Sequence, residues 1–395
     1  MPRSKAASAP ASSGHVLELI RSGEAATRTE IGRATGLSRP AVALRVTELL
    51  RHGLVSEDRA APSQGGRPPA RLEFDAAGGV VLAAALGVSH SQAAVCDLSG
   101  RLLAGDSGSP ELEYGPRAAL PWLLETWQRL LEECGRGTGD VCGSGIGLPG
   151  TVEFATGRAE TPPVLADWGG VDIASLVAEW FPAPVLIDND VNVMALGEHR
   201  AVHPGVGDLL FVKVSTGIGA GIVAGGELLR GSLGAAGEIG HIPVRDGDGT
   251  PCRCGGTDCL EAVAAGPALL ARMNARDRRA GGVAELAALA HEGDSAAAAL
   301  VRQAGRRLGE VLAGAVNLLN PEVIVLGGLL DRAHDHLVAG VREVVFQRSI
   351  PLATRQLRVV GNRSGEEAGL RGAAAMALEH VLAPEAVNAR IAARR

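Results

Sequence analysis

Before residue 55 the apolar positions form three short helical stripes. From His15 to Arg21, Val16, Leu19 and Ile20 stand at i, i+3 and i+4, the spacing of one helix face. Thr29 to Thr35 predicts a second helix with Ile31 and Ala34 inward, closed by Gly36, which suits the left-handed residue after a helix. Ser38 can cap a third helix, Pro40 fits its first turn, and Val42, Val46, Leu49 and Leu50 recur at i, i+4, i+7 and i+8. Helix, short glycine turn, helix is a helix-turn-helix. Gly53-Leu54-Val55-Ser56 and Arg71-Leu72-Glu73-Phe74 then predict two short strands around the tip Gln64-Gly65-Gly66-Arg67-Pro68-Pro69, a wing.

From Val80 the texture changes to short apolar runs, glycine turns and alanine-rich stretches, the pattern of an α/β body. Val80 to Leu86 and Gln92 to Asp97 predict a hairpin, Cys142 to Gly147 and Pro184 to Ile187 buried strands, and Leu209 to Val214 and Ala220 to Val223 strands beside a glycine turn. A long helix over Ala298 to Leu319 precedes another buried strand, Val323 to Leu326. With 395 residues the chain has room for two or three domains. Residues 1–13 are expected as a disordered arm, residues 14–75 as a winged helix-turn-helix domain, and residues 381–395 as a tail.

Charge sharpens this division. Residues 1–75 hold 11 Lys+Arg against 8 Asp+Glu, a net of +3 within a chain of net −6, so the remainder carries −9. In a helix-turn-helix the second helix enters the major groove with its N-terminal residues toward the bases. Burial of Val42 and Val46 leaves Ser38, Arg39, Ala41 and Arg45 on the outer face. The two arginines are suited to guanine or phosphate, and Ala41 or Leu44 to a thymine methyl. Arg67, on the extended tip of the wing, fits a narrow minor groove. Double-stranded DNA is therefore an expected partner. Lys5 and Lys213 are the only lysines. No apolar run has the length of a membrane span and no export signal is evident, so a cytoplasmic location and no membrane partner are expected.

Three of the six cysteines crowd into Cys252-Arg253-Cys254-Gly255-Gly256-Thr257-Asp258-Cys259, with His241 eleven residues upstream of the first. Three thiolates and an imidazole make a closed tetrahedral set suited to structural Zn2+, and the two glycines let the loop fold back on itself. Cys96, Cys134 and Cys142 are isolated and read as inert thiols.

Several motifs follow one another in a characteristic order. They are Gly147-Leu148-Pro149-Gly150, Asp188-Asn189-Asp190-Val191-Asn192 with Gly197-Glu198, Ser215 to Gly221, Gly237-Glu238-Ile239-Gly240-His241, the Cys252 to Glu261 cluster, and Val325-Leu326-Gly327-Gly328. Over roughly residues 80–380 the chain resembles the ROK family of repressors, open reading frames and sugar kinases. With the module in front, it resembles the transcriptional regulators of the xylose- and N-acetylglucosamine-repressor type.

The resemblance implies a two-lobed, actin-like (ribonuclease-H-like) body, with residues 76–190 as the N-terminal lobe, residues 191–380 as the C-terminal lobe carrying the zinc loop, and the last helix packing back on the first lobe. It implies a sugar site made by Asn189, Asp190, Glu238, His241 and Glu261, in which metal-bound His241 presents its other ring nitrogen to a hydroxyl. In the kinases the aspartate matching Asp190 is the general base. The family's asparagine four residues before a tryptophan is replaced by Val164, taking Trp168 as the anchor. The kinases' first hairpin carries Asp-x-Gly-Gly-Thr, where this chain has Ala85-Leu86-Gly87-Val88-Ser89-His90. Without the aspartate and with Val88 in place of the second glycine, no kinase activity is expected. The chain reads instead as a sugar-responsive repressor, a homodimer or tetramer.

Overall fold

The computed structural model describes residues 12–58, 70–87, 90–110, 112–159, 166–245, 247–275 and 280–393. The N-terminal module consists of α1 (Ser13–Arg21), α2 (Arg28–Thr35), α3 (Arg39–Arg51) and an antiparallel pair of strands, β1 (Val55–Asp58) and β2 (Arg71–Phe74), with Val55 opposite Phe74. Each helix begins on a hydroxyl. Ser12, Thr27 and Ser38 accept from the backbone N–H groups of His15, Glu30 and Ala41, satisfying donors that the first turn leaves open. Gly36 closes α2 at φ 72°, a conformation that a Cβ would penalise.

Val16, Leu17, Ile31, Val42, Val46, Leu49, Leu54 and Leu72 make the centre of this module. Ala34, expected inward, is exposed. The α2 stripe that meets α3 runs through Ile31 and Gly32 instead, where a Cβ on Gly32 would stand 3.9 Å from Val42 Cγ2. Ala34 lies two residues beyond Gly32, about 200° further round the helix.

The body holds two five-stranded sheets with one strand order. In the first, β3 (Val80–Ala85), β4 (Ser91–Asp97) and β5 (Leu102–Gly108) form a meander, after which α4 (Pro116–Glu133) leads to β6 (Val141–Leu148), parallel to β3. A small hairpin, β7 (Val152–Glu153) and β8 (Arg158–Ala159), and α5 (Ile173–Ala178) precede β9 (Val185–Asn189), parallel to β6.

After α6 (Asp190–Val202) the plan repeats with β10 (Leu209–Val214), β11 (Ile218–Ala224) and β12 (Glu227–Leu229). The helices α7 (Leu260–Ala264), α8 (Gly266–Asn274), α9 (Val283–His291) and α10 (Ser295–Leu319) then lead to β13 (Val323–Gly327). Finally, α11 (His334–Arg348) and α12 (Pro351–Thr354) precede β14 (Arg358–Gly361). The sheet orders are β5-β4-β3-β6-β9 and β12-β11-β10-β13-β14. Burial on both faces explains the apolar runs of β13 and of β10, the latter broken at Lys213.

Two helices lie between the sheets and fix their relation. α6 packs on α13 (Ala368–Val381) and on β10 and β11. A Cβ on Gly197 would fall 2.0 Å from Ala368 O and one on Gly372 1.7 Å from Val193 O, so only glycines permit this approach. α13 itself returns to the first sheet, where Gly145 meets the backbone of Ala373.

Residues 381–395, expected as a tail, contain a further helix, α14 (Pro384–Ala393). Its Val387 and Ile391 are buried in a core shared by the N-terminal module and the first sheet. Asn388 Oδ1 accepts from Gly14 N at 2.9 Å. The segment is thus a joint. Its apolar residues recur at i and i+4 among alanines and arginines, too sparse a stripe to stand out in the sequence.

Candidate ligand cleft and metal centre

Where β6 ends, Pro149, Gly150 and Thr151 turn beneath the end of β9. Asn189 caps α6, its Oδ1 accepting from Val191 N at 2.8 Å and Asn192 N at 3.2 Å, while its Nδ2 donates to Gly150 O at 2.7 Å. Asn189 therefore anchors the strand-to-helix turn and presents Asp190 to a cavity of about 340 Å3 between the lobes.

The opposite wall belongs to the second sheet. Gly237, at φ 99°, lies against Ala220, where a Cβ would stand 1.8 Å from the carbonyl oxygen. This close approach sets Glu238 at the rim, and its Oε1 accepts from Thr151 Oγ1 at 3.1 Å across the cleft. Glu261 Oε2 accepts from Ile218 N in the glycine turn at 3.1 Å, and its Oε1 pairs with Arg253 at 3.0 Å.

All five residues of the expected sugar set, Asn189, Asp190, Glu238, His241 and Glu261, line this one cavity. Thr151, Lys213 and Arg253 line it too, and sequence reasoning missed them. Lys213 Nζ lies 2.5 Å from Asp190 Oδ2. The available signal was a single charge within the apolar strand Leu209–Val214. Beneath the cleft the buried Asp188 accepts from Arg230 Nε at 2.7 Å, and the Arg230 guanidinium sits 3.7 Å over the Phe154 ring, an ion pair with cation–π support.

His241, Cys252, Cys254 and Cys259 offer one ligand atom each, all within 4.8 Å of one another. Cys252 Sγ is 3.6 Å from His241 Nδ1 and Cys254 Sγ is 3.7 Å from Cys259 Sγ. A tetrahedral ion with metal–sulfur bonds of about 2.3 Å and metal–nitrogen bonds of about 2.0 Å requires edges of about 3.5–3.8 Å. The four residues therefore form a group that could hold a metal ion.

Their protonation is divided. The Gly256 backbone and then the neighbouring Cys252 and Cys259 thiols hold Cys254 down to about 7. Burial first and then the other thiols push Cys259 up to about 12. A cation would allow all three to ionise together.

Asp258 adopts φ 56°, the left-handed region expected where the family has glycine. Its carboxylate also accepts from Gly249 N at 3.0 Å and Thr250 N at 2.9 Å, tying the loop down. The thiol of Cys96, outside this cluster, is pushed up to about 12 by burial and by Asp97, which suppresses the reactive thiolate.

In the N-terminal module Ser38 and Arg39 are exposed at the start of α3, and Ala41 and Arg45 are half-buried beside them. Leu44 is also exposed. Arg45 Nη1 lies 3.5 Å from Glu48 Oε2, a buried oxygen that accepts from Ser13 Oγ at 2.5 Å. Arg67, Val88 and Val164 fall outside the described residues. Ala85, at the end of β3, is not among the residues that line the cleft.

The ROK family model matches residues 81–380. The chain belongs to the ROK family. Among relatives, the xylose repressor of Caldicellulosiruptor bescii is 28% identical over 381 residues, covering 93% of this chain and 95% of that protein. A crystal structure of a ROK family transcriptional regulator, described as a homologue of the E. coli MLC protein, matches with a TM-score of 0.81 and 26% identity over 96% of this chain and 98% of that one. The ROK hexokinase of Thermus thermophilus matches with a TM-score of 0.62 and 34% identity, covering 76% of this chain and 99% of its own. The ROK regulator match thus spans the N-terminal module as well as the body, whereas the hexokinase match covers a smaller share of the chain.

Proposed function

We propose that this ROK chain is a sugar-responsive DNA-binding repressor. One observation carries the reading: a helix-turn-helix module with a strand pair is fused through a continuous core to a ROK body whose cleft is lined by Asp190, Glu238, His241 and Glu261. Carboxylates and an imidazole at fixed positions can each take a sugar hydroxyl in a preset direction. Arg39 and Arg45, with Ser38 and Ala41, form the DNA-facing surface of the module, which reads as a winged helix-turn-helix, and the wing's Arg67 adds a minor-groove contact.

The cleft lies between two lobes, and the module is joined to the first through α14. A sugar gripped by both walls favours one lobe arrangement over another, and only such differential affinity can change DNA binding. Two modules in a homodimer would then move relative to two half-sites of an operator.

Zinc is the metal we assign to His241, Cys252, Cys254 and Cys259, because three thiolates and an imidazole suit it and two of their spacings, 3.6 Å and 3.7 Å, match tetrahedral edges. Bound zinc would supply charge and cross-linking to the loop. With His241 Nδ1 facing Cys252, the other ring nitrogen, Nε2, is 4.0 Å from Glu238 Oε2, on the side from which a ligand hydroxyl approaches. We also infer that the body is not a kinase. The first hairpin presents Ala85 rather than a metal-organising carboxylate, and Asp190 Oδ2 is engaged by Lys213.

A thermal-shift panel of D-xylose, D-glucose and N-acetylglucosamine, together with a DNA-retention assay, tests the reading. One sugar should raise the melting temperature in a concentration-dependent way and alter retention of genomic fragments. Sugar-dependent ADP release from ATP would establish the kinase alternative instead.

A further inference from the structure

The cleft contains a cation that the proposed function leaves without a role in ligand binding. β10 is the central strand of the second sheet, and Leu209, Leu210, Phe211, Val212 and Val214 on it are all buried. Lys213 is the exception. Lysine is depleted in strands and is rarely drawn into a core. Its lateral neighbours in register are Gly219 on β11 and Gly327 on β13. Neither neighbour carries a side chain of its own, with Val191 packed beside Gly219 and Phe211 and Asn362 beside Gly327, and the ammonium reaches Asp190.

The choice of lysine is informative. Of 38 cationic residues only Lys5 and Lys213 are not arginine. An ion pair needed only to hold two lobes together is better made by arginine, whose guanidinium grips a carboxylate with two parallel N–H groups. Arg230 pairs with Asp188 nearby through its Nε. Lysine brings a compact nitrogen with three rotatable donors. One of them meets Asp190 Oδ2, and the others remain for the cavity that both residues line.

We propose that Lys213 is a specificity-determining residue of the cleft. Asp190 accepts from one sugar hydroxyl while Lys213 donates to the oxygen beside it, so that the pair reads two adjacent hydroxyls as a donor–acceptor unit. The two groups stand one hydrogen bond apart, as neighbouring hydroxyl oxygens on a sugar ring do. Asp190 opens α6 and Lys213 belongs to the second sheet, so a sugar held by both also bridges the lobes. This inference rests on the sugar-sensor reading.

Isothermal titration of the full chain with D-xylose, D-glucose and N-acetylglucosamine, and then with the monodeoxy derivatives of the tightest binder, tests it. Lys213→Met should weaken the tightest sugar about tenfold or more, the loss of one hydrogen bond to a charged group. One deoxy derivative, the one lacking the oxygen that Lys213 meets, should bind wild type and variant equally. Lys213→Gln, which keeps a neutral donor, should weaken binding less than Lys213→Met and serves if the methionine variant does not fold. If either variant binds every sugar and deoxy derivative as wild type does, the assignment to Lys213 is overturned while the sensor reading stands. If wild type retains DNA but binds none of the three sugars, both are overturned.

Discussion

Asn388, in the last helix, accepts a 2.9 Å hydrogen bond from the backbone N–H of Gly14, 374 positions earlier in the chain. The contact is steric as well as polar, because a Cβ on Gly14 would lie 2.1 Å from Pro384 O. Gly14→Val should therefore push α14 off α1, at a cost of about 1–3 kcal/mol. Asn388→Ala should cost about 1 kcal/mol. Urea titration followed by tryptophan fluorescence and by DNA retention checks this: the valine variant should still retain DNA and take up sugar, but sugar should no longer alter the retention.

The metal loop makes its own prediction. Freshly purified protein should contain one zinc per chain by elemental analysis, and Cys254→Ser should remove it and lower the melting temperature. Asp258→Ala should loosen the loop by about 1–3 kcal/mol, through lost bonds to Gly249 and Thr250 and the left-handed backbone. Asp258→Asn should lose less, and competition with a chelator would rank the three proteins.

Arg39 and Arg45 should separate by stability. Arg39→Ala, at an exposed position, should weaken DNA binding and reduce its salt dependence with the melting temperature unchanged. Arg45→Ala also takes a cationic partner from the buried Glu48, so it should lower the melting temperature as well. Binding isotherms at several salt concentrations, beside thermal unfolding, distinguish the two.

A pH dependence follows from His203. Burial holds its imidazole below the usual range, against the upward pull of Glu198. The folded state thus resists a proton that the unfolded chain takes up near pH 6.5, so this contribution to stability is present above that pH and is lost as the pH falls below it. Thermal unfolding between pH 7.5 and 5 should show the decline, and His203→Gln should flatten it.

The three N-terminal helices were legible because each carries a cap and a stripe of its own, such as Ser38 with Val42 and Val46. The candidate metal ligands were legible because Cys252, Cys254 and Cys259 are close in sequence and rare. Pairings between distant segments were not. Hydrophobic runs mark Val80–Ala85 or Leu209–Val214 as strands without naming their neighbours, so the repeated sheet order emerged only from the fold. Lys213 was overlooked for the same reason: its meaning depends on Asp190, 23 positions away, and on two glycines contributed by other strands.

The joint formed by α14 also has a consequence for synthesis. The N-terminal module is synthesised before the body, and its own helices can pack early. The helix that docks it to the body is translated only after both sheets, as are α13 and the lobe contact it makes. A nascent chain therefore carries the proposed DNA-binding surface before it has the attachment through which the cleft could govern it, and regulated binding waits for α14.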